Sequence, residues 1–427
     1  MPPNWGETPE VRFAARLQSS MLVVVYRGVV MAKAGQAGRA LVALAIALVA
    51  AVSVAACGSP SNNAEPTGAA SGGSDPHAGH VSAPPAAPLR AGERFQALSM
   101  PAAYTPQAPN GGTDEYRCFL IDPKLTRTAY LTGSQFLPQN AAIVHHAIFF
   151  RIAPEAADQA RKLDADSPGE GWTCFGDSGV RGDAWVASWA PGANETLLAP
   201  NLGYPMPPGS MMVMQVHYNL LATGGRPGGS DQSSIRLRLN DDTAMTPLRT
   251  SLLPAPIELP CAASESGPLC DRTAAVADVG KRFGADIGGM EDELVEQCYK
   301  GSPPVAGVTQ HCDHPVPQAA TVYAVAGHMH LLGRSIKIEL NPGTAGARTL
   351  LDVPNYNFDD QAIHPLDPPV ALHPGDTLRV TCTHDAGLRG LLPQLKGTAP
   401  RYVVWGDGTS DEMCLGLVVM TAASRGN

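Results

Sequence analysis

Charged side chains are scarce in this sequence. Asp, Glu, Lys and Arg make up 16% of its 427 residues, and the formal net charge is −9. So little positive charge excludes the strongly basic surface that typically binds nucleic acid. Long helical runs are also few, whereas the 44 glycines and 39 prolines are typical of strands joined by turns. We therefore predict a mainly β protein without a nucleic-acid partner.

Two common zinc motifs are missing as well. No cluster of cysteine ligands is present, and no Glu follows a histidine in the pattern of the zinc proteases. Instead, apolar strand-like runs carry histidines, and these are His145, His146, His217, His328 and His330. An imidazole without a partner is costly to bury. The positions therefore favour a metal site over isolated core histidines.

The first 57 residues predict an export signal that ends at a lipidated cysteine. Lys33 and Arg39 precede an apolar stretch at 40–56, and small residues lead to Cys57 in VAAC. This motif resembles the lipobox of bacterial lipoproteins, in which the cysteine carries the lipid and becomes the mature N-terminus. A transmembrane anchor and an ordinary signal peptide are the alternatives. We expect a membrane-associated lipoprotein of the bacterial cell envelope, outside the cytoplasm.

Residues 58–92 predict a flexible tether, because they are rich in Ser, Pro, Gly and Ala. His77 and His80 lie in it, and histidines in such a segment are more often incidental than metal ligands. Export also places the eight cysteines other than Cys57 in an oxidising compartment, where they can form four disulfides. Sequence alone leaves roughly a hundred pairings open.

From about Phe95 onward, short β-rich runs separated by turns predict antiparallel β-sandwiches. Only PEAADQARKL and GGMEDELVEQCYK are typical of helices. The remaining length exceeds one small sandwich, and a natural seam lies at 240–260. We therefore predict an all-β chain with domains at 93–248 and 249–427, after the leader at 1–57 and the tether at 58–92.

Strand periodicity indicates which imidazoles can share an ion. Residues two apart on a strand face the same way, so His328 and His330 in GHMH project in parallel. His145 and His146 in IVHHAIFF are adjacent, and they need a strand end or a bulge to converge. In MMVMQVHYN, Met212 and Met214 face away from His217, which is typical of core rather than of ligands.

A fourth motif, DEMC, places Met413 beside Cys414. Imidazoles together with a thioether suit copper better than zinc, because soft sulfur favours Cu(I). The remaining HCDH motif at 311–314 is expected to be a loop rather than a metal clip. His384 receives no role from its sequence context. Spacing alone predicts a metal site and does not identify the metal.

Five motifs occur in the order found in the copper type II, ascorbate-dependent monooxygenases, which include peptidylglycine α-hydroxylating monooxygenase and dopamine β-monooxygenase. They are VHHAIF, QVHYN, GHMHLLGR, VTCTHDAGLR and TSDEMC, within residues 116–420. The chain therefore resembles this family. The resemblance implies two jelly-roll-like β-sandwich domains, each with one copper ion, that face an open cleft.

The resemblance also implies which residues hold the two copper ions. The implied ligands of the electron-supplying copper are His145, His146 and His217. The implied ligands of the copper at which oxygen and substrate react, and hence the expected catalytic residues, are His328, His330 and Met413. Gln215 shares a strand face with His217 and is expected to position solvent near the first copper. Tyr116 is expected to pack or hydrogen-bond there, with a plain core tyrosine as the alternative.

Two disulfides are implied by the same resemblance. Cys382 and Cys414 match one family pair, which would fix the strand that presents Met413. Cys118 and Cys174 resemble another pair. A segment without a family match holds Cys261, Cys270, Cys298 and Cys312, which we expect to pair among themselves. Cys414 as a copper ligand is the alternative, which an oxidising compartment disfavours.

The carboxylate clamp of the peptidylglycine hydroxylases is absent. In those enzymes an Arg precedes the first His of the HxH motif by two residues, and an Asn and a Tyr follow the metal-binding Met. The corresponding residues here are Ala326, Leu415 and Leu417. We therefore expect an apolar pocket and a small organic substrate, oxidised with O2 and an external, ascorbate-like electron donor. The alternative is a copper-binding or copper-delivery lipoprotein without turnover.

The predicted lipid anchor has a direct test. When the full-length chain is produced with a radiolabelled fatty acid, we expect it to be labelled. Cys57→Ala should remove the label and release the protein from the membrane, because the tether contains no segment that spans a bilayer. Membrane retention of the unlabelled variant would instead identify residues 40–56 as an uncleaved anchor.

Overall fold

The computed structural model describes residues 85–109 and 112–422. The predicted leader, the lipidated Cys57, and the tether histidines His77 and His80 lie outside these residues. Within the described ranges, no helix is both long and apolar enough to cross a membrane.

Strands dominate the described part of the chain, as predicted. The strands are β1 Glu93–Ser99, β2 Asp114–Ile121, β3 Ala129–Leu137, β4 Val144–Ile152, β5 Trp172–Thr173, β6 Ala184–Trp189, β7 Thr196–Leu197, β8 Leu202–Met206, β9 Met211–Asn219, β10 Ser234–Asn240, β11 Thr246–Ala255, β12 Thr309–Pro315, β13 Ala320–His328, β14 Gly333–Leu340, β15 Arg348–Val353, β16 His364–Leu372, β17 Thr377–His384 and β18 Cys414–Thr421. The α-helices are α1 Ala157–Asp166, α2 Arg272–Phe283, α3 Ala285–Tyr299 and α4 Leu388–Leu391.

These strands form three sheets. A nine-stranded sheet has the order β1-β10-β3-β8-β11-β18-β13-β16, with β7 paired to β3. A five-stranded sheet, β5-β2-β9-β4-β6, packs on its first strands, and a four-stranded sheet, β12-β17-β14-β15, packs on its last strands. Two main hydrophobic cores fill the spaces between these layers. The predicted all-β sandwich class is thereby confirmed.

One strand joins the two parts of the nine-stranded sheet. β11 pairs in parallel with β8 over two residues and antiparallel with β18 over its C-terminal part. The predicted boundary between residues 248 and 249 falls inside this strand. We refer to residues 85–245 as the N-terminal half and to 246–422 as the C-terminal half. The division into two domains stays a prediction, because both halves contribute to one continuous sheet.

The burial of each strand follows its place in the layers. β17 alternates regularly, with Leu378, Val380 and Cys382 pointing into the core. β9 is buried along both faces, because one face lies between the sheets and the other packs against α1 and β5 before it reaches the histidine site at His217. Met212 and Met214 lie in the core between the sheets, as predicted for these methionines.

The two predicted helices are present as α1 and α3, but a third helix was missed. α2 begins after Asp271, whose side chain accepts a hydrogen bond from the Ala274 N–H and so caps the helix. Ala275, Val279 and Phe283 form its buried face at helical spacing. The capping residue and the buried residues can both be found in DRTAAVADVGKRF. The apolar face is hard to recognise there because much of the segment is alanine, which is only weakly hydrophobic.

The expectation of a loop at HCDH was wrong. These residues lie in β12, which pairs with β17 along its length. Cys312 forms a disulfide with Cys298 and lies in the core, whereas His311 and Asp313 are exposed. The alternation of exposed and buried residues is a strand signal that the polar composition concealed.

All four expected disulfides form. Cys118–Cys174 and Cys382–Cys414 are the two pairs implied by the family resemblance, and both are confirmed. The segment without a family match pairs within itself, as Cys261–Cys270 and Cys298–Cys312. Because Cys414 is disulfide-bonded, its sulfur serves as a cross-link between β17 and β18 rather than as a thiolate ligand.

Candidate metal centre

A β-bulge brings the first three histidines together. The register between β4 and β9 shifts between Val144 and His146, so that His145 is an extra residue opposite no partner. His146 pairs directly with His217. The bulge lets two adjacent imidazoles approach a third one, as the sequence required. We call His145, His146 and His217 the first histidine group.

Ring nitrogens converge in this group. His146 Nδ1 lies 3.1 Å from His145 Nδ1 and 3.4 Å from His217 Nδ1. One ring nitrogen from each residue lies within 4.8 Å of the other two. A neutral imidazole has one N–H donor and one bare acceptor, so a single proton can bridge only one of the Nδ1 pairs. A metal ion would accept a lone pair from all three rings, and the group therefore fits a metal.

The orientation of His217 is fixed by Asp114 and Tyr116. Its Nε2–H donates to the Asp114 carboxylate at 2.9 Å, which leaves Nδ1 as the bare nitrogen. Asp114 also accepts a hydrogen bond from Thr409 at 2.6 Å. The Tyr116 ring stacks on His217 with centroids 4.1 Å apart. A carboxylate behind a ligating histidine is the usual way in which proteins set the ligand tautomer.

The Asp114 carboxylate stays ionised although it is buried. Burial alone would raise its pKa, but hydrogen bonds from His217, Thr409 and Thr113 hold the pKa at about 2. A negative charge therefore remains behind His217, where it increases the basicity of the ring towards a metal ion.

The second histidine group consists of His328 and His330, with ring centroids 5.1 Å apart. β13 ends at His328, so His330 stands two residues beyond the regular strand. His328 Nδ1 contacts Gln361 Oε1 at 2.6 Å, and His330 Nδ1 contacts the Asp411 carbonyl oxygen at 3.2 Å. Both acceptors require an N–H, which leaves the two Nε2 atoms bare. His330 Nε2 is buried without a hydrogen-bond partner, as expected of a ligand atom.

A buried glutamate holds the backbone of this group. Glu412 accepts hydrogen bonds from the backbone N–H groups of His330 at 2.9 Å and Leu332 at 2.6 Å. His384 Nε2 lies 3.4 Å from the same carboxylate. Burial opposes ionisation of Glu412, but the His384 contact and the neighbouring His330 lower its pKa below the usual value. His384, without a role in the sequence, thus supports the HxH turn through Glu412.

The strand register places Met413 near the second histidine group. It directly precedes β18 and is buried, in a cluster with Leu294, Trp405 and Leu415. β13 and β18 pair with His328 opposite Leu415. Continued by two residues, this register brings Met413 to the level of His330. The Cys382–Cys414 disulfide fixes the next residue along the strand.

The two histidine groups touch each other. The His146 and His328 ring centroids are 5.7 Å apart, close to the 5.1 Å within the second group. Phe358 from the C-terminal half stacks on His145 at 4.2 Å and meets the edge of His330 at 6.2 Å. The expected open cleft between the two groups is therefore not seen. All five imidazoles form one cluster, because Phe358 and His328 of the C-terminal half lie directly against the first histidine group.

Burial lowers the pKa values of His145, His146, His328 and His330. Desolvation, followed by the neighbouring imidazoles, lowers the pKa values of His145 and His146 well below their usual range. Desolvation and His330 lower the pKa of His328 to about 3, and desolvation also lowers that of His330. Neutral imidazoles offer lone pairs for a metal at ordinary pH, so protons compete weakly with a metal ion at this site.

The two residues expected beside the first group differ in their contacts. Tyr116 packs on His217 and donates a hydrogen bond to the Asp407 carbonyl oxygen at 2.5 Å. The Gln215 amide donates to the Asp177 carbonyl oxygen at 2.9 Å and lies 3.4 Å from Cys174 Sγ. Gln215 thus lies beside the Cys118–Cys174 disulfide, and these contacts hold the loop around Asp177.

Several residues of the site were missed by sequence reasoning, and they are Asp114, Gln361, Phe358, Thr409 and Glu412. Asp114 begins the strand DEYRCFLI, and Glu412 lies in DEMC beside Met413. Both carboxylates are buried, which is rare for unpaired carboxylates but is visible only in the structure. All five residues act through contacts distant in sequence, for which no local pattern exists.

Comparison with known proteins identifies part of the chain. Residues 305–421 match the family described as copper type II ascorbate-dependent monooxygenase, C-terminal domain. This match confirms the resemblance carried by GHMHLLGR, VTCTHDAGLR and TSDEMC, which lie in that range. The motifs VHHAIF and QVHYN lie before it. A comparison with curated proteins finds no match.

Solved structures give weak likenesses. The major capsid protein P2 of bacteriophage PM2 is 9% identical with a TM-score of 0.27, and the likeness covers 78% of this chain and 100% of that chain. A peptide-N(4)-(N-acetyl-β-D-glucosaminyl) asparagine amidase is 9% identical with a TM-score of 0.30, covering 78% of this chain and 98% of that chain. At these TM-scores neither likeness bears on function.

The neutral state of His328 generates a pH prediction for the metal-free protein. The native state leaves this ring unprotonated down to about pH 3, whereas the unfolded chain protonates it from about pH 6.5 downward. The free energy of unfolding therefore decreases as the pH falls from 6.5 towards 3, because only the unfolded chain binds a proton at this ring in that range. Between pH 7 and pH 5.5, His328→Asn should lose less stability than the wild type, by up to about 1 kcal/mol.

Urea unfolding of both proteins at the two pH values measures this difference. The matched control is His373→Asn, because the His373 side chain is 75% exposed and lies outside the cluster. An identical loss of stability in wild type and His328→Asn would show that the native state does not hold this ring neutral.

Proposed function

Because residues 305–421 match the C-terminal domain of the copper type II ascorbate-dependent monooxygenases, we propose that the chain is a copper monooxygenase acting on a small organic molecule. The reaction replaces a C–H bond by C–OH. One atom of O2 enters the product and the other leaves as water, with two electrons and two protons from an external, ascorbate-like reductant. The observation that carries the proposal is the convergence of five imidazoles in one cluster, in which three of the rings each offer a nitrogen to one ion.

Each histidine group would hold one copper ion. The residues of the electron-supplying site would be His145, His146 and His217. The residues of the site for oxygen and substrate would be His328, His330 and Met413. Copper, when bound, supplies one-electron redox chemistry and the activation of O2. A thioether beside two imidazoles favours the reduced ion, which suits a site that must be reduced before oxygen reacts.

The chain's own residues prepare these sites. Asp114 and Gln361 take the N–H of His217 and His328, and so turn one bare nitrogen of each ring towards the metal. Phe358 and Tyr116 stack on imidazoles of the first group. Their flat contacts limit the access of water to the cluster, which protects reactive oxygen chemistry from side reactions.

Contact between the groups supports a two-site enzyme. The 5.7 Å between the His146 and His328 rings leaves no solvent gap across which an electron would have to travel. A site for storage or delivery of copper has no need of two unlike ligand sets in contact. The observed arrangement therefore favours turnover over copper delivery.

We also propose a location in the bacterial cell envelope. The support comes from the sequence, where VAAC ends the apolar stretch before Cys57. Four disulfides in the described residues are consistent with an oxidising compartment. A lipid at Cys57 would tether the enzyme to a membrane surface through residues 58–92.

Met413 provides the sharpest test of the enzyme. Met413→Ile keeps the approximate side-chain volume and removes the thioether, so copper-dependent oxygen uptake with ascorbate and a panel of small organic substrates should fall at least about a hundredfold. The matched control is Met420→Ile on β18, the strand that Met413 directly precedes, since Met420 is buried in the core and should retain turnover. Oxygen uptake of Met413→Ile equal to that of the wild type would make Met413 a core residue.

The same assay separates the two functional readings. Product hydroxylation by the wild type supports the monooxygenase. Tight copper binding without oxygen uptake on any substrate would instead support the copper-delivery alternative.

A further inference from the structure

A cavity of about 540 Å³ lies between the two halves of the described chain. Its walls come from β3, β6 and β8 on one side and from β13, β16 and β18 on the other. This volume lies within the range of cavities that bind drug-sized molecules. None of the five clustered histidines lines it, so the cavity is separate from the metal ligands themselves.

The cavity has an open end and a closed end. At the open end, Leu197 is 44% exposed, and Asp367 is also exposed. At the closed end, on β13, Ala326 is buried. An exposed leucine at the rim of an apolar cavity is consistent with an entrance for an apolar molecule.

The closed end points towards the second histidine group. Ala326 lies two residues before His328 on the same face of β13, a distance of about 7 Å along a strand. On β18, Leu417 pairs with Ala326, and Leu415 pairs with His328. Ala326 and Leu417 both line the cavity. The paired strands β13 and β18 therefore form part of the cavity wall, and two residues further along β13 lies His328.

The chemistry of the wall excludes a charged ligand. The lining contains no Lys, Arg or His, and its one charged residue is the exposed Asp367. An anion would lose its hydration without gaining a partner. Neutral polar side chains line it in several places, among them Tyr204 and Thr250, whose hydroxyls are 2.8 Å apart. A ligand that fits this lining is uncharged and mainly apolar, such as an aliphatic chain with one neutral hydrogen-bonding group.

We propose that this cavity binds the substrate and that the substrate is an uncharged, elongated, mainly aliphatic molecule with at most one neutral polar group. Its chain lies between the rim at Leu197 and the closed end at Ala326. The carbon that extends past Ala326 towards His328 is the one whose C–H bond becomes C–OH, with the electrons and protons given above. This inference rests on the proposed monooxygenase for the reaction, whereas the binding of the molecule stands on the cavity alone.

Binding can be measured without turnover. Isothermal titration calorimetry of the purified protein with 1-hexanol, 1-octanol and 1-decanol should show an affinity that rises about fourfold for each added methylene. Decanoate should bind at least about tenfold more weakly than 1-decanol, since its carboxylate meets no cation. Equal affinities for decanoate and 1-decanol, or affinities independent of chain length, would overturn the proposed class.

Two variants locate the binding. Ala326→Arg puts a cation at the closed end, so it should weaken 1-decanol binding and strengthen decanoate binding. Leu197→Glu changes an exposed rim residue that folding does not require, and should weaken 1-decanol at least about threefold. Its matched control is Leu391→Glu, since Leu391 is 76% exposed and does not line the cavity. Wild-type affinity for 1-decanol in Leu197→Glu would place the binding elsewhere and overturn the assignment.

The two proposals fail in different ways. Length-dependent binding of the alcohols without oxygen uptake would keep the cavity assignment and remove the monooxygenase. Oxygen uptake on polar substrates, together with no binding of the alcohols, would keep the monooxygenase and remove the aliphatic substrate.

Discussion

The Nδ1 atoms of His145 and His217 lie 3.1 Å and 3.4 Å from His146 Nδ1, which is a demanding arrangement because bare ring nitrogens present lone pairs to one another. The surroundings make the demand stronger. The rings are buried, and desolvation lowers the pKa values of His145 and His146, so protonation of these two rings does not relieve the contact. A metal ion relieves it by accepting all three lone pairs. The rest of the site can be understood as the structure that holds these rings in place until an ion binds.

Residues 406–413, the connecting loop, hold both histidine groups at once. Thr409 donates to Asp114 behind His217, and the Asp407 carbonyl accepts from Tyr116. A few residues later the loop meets His330 through the Asp411 carbonyl. The loop then continues into Met413. A movement of this loop would therefore displace ligands of both groups. The two sites are thus coupled through one continuous segment of the chain.

Ion pairs fix the connecting loop to the helical segment. Arg282 of α2 makes two hydrogen bonds of 2.6 Å to Asp411, and Arg401 approaches the same carboxylate at 3.2 Å. Burial would raise the pKa of Asp411, but Arg282 and Arg401 lower it and keep the carboxylate charged. Because desolvation offsets much of the attraction in buried ion pairs, these pairs contribute little net stability, and their main effect is to hold the loop in one position. Helix α2 thus has a role in the site although it carries no ligand.

The sequence predicted the parts of this site that depend on local pattern. Two adjacent histidines in a strand required a bulge at His145, and the bulge is present. Alternation in β9 assigned its methionines to the core. The contacts of the connecting loop could not be predicted from the sequence, because Thr409 and Asp114 are 295 residues apart and neither belongs to a repeating pattern. The contact between the two groups was missed for the same reason, since it depends on how the halves pack.

A titration of the metal-free protein with Cu(II), followed by electron paramagnetic resonance, tests the central claim most directly. The account predicts that two equivalents bind through imidazole nitrogens, and that the second equivalent broadens the signal of the first because the two histidine groups are in contact. Binding of a single equivalent, or two independent signals without mutual broadening, would contradict it.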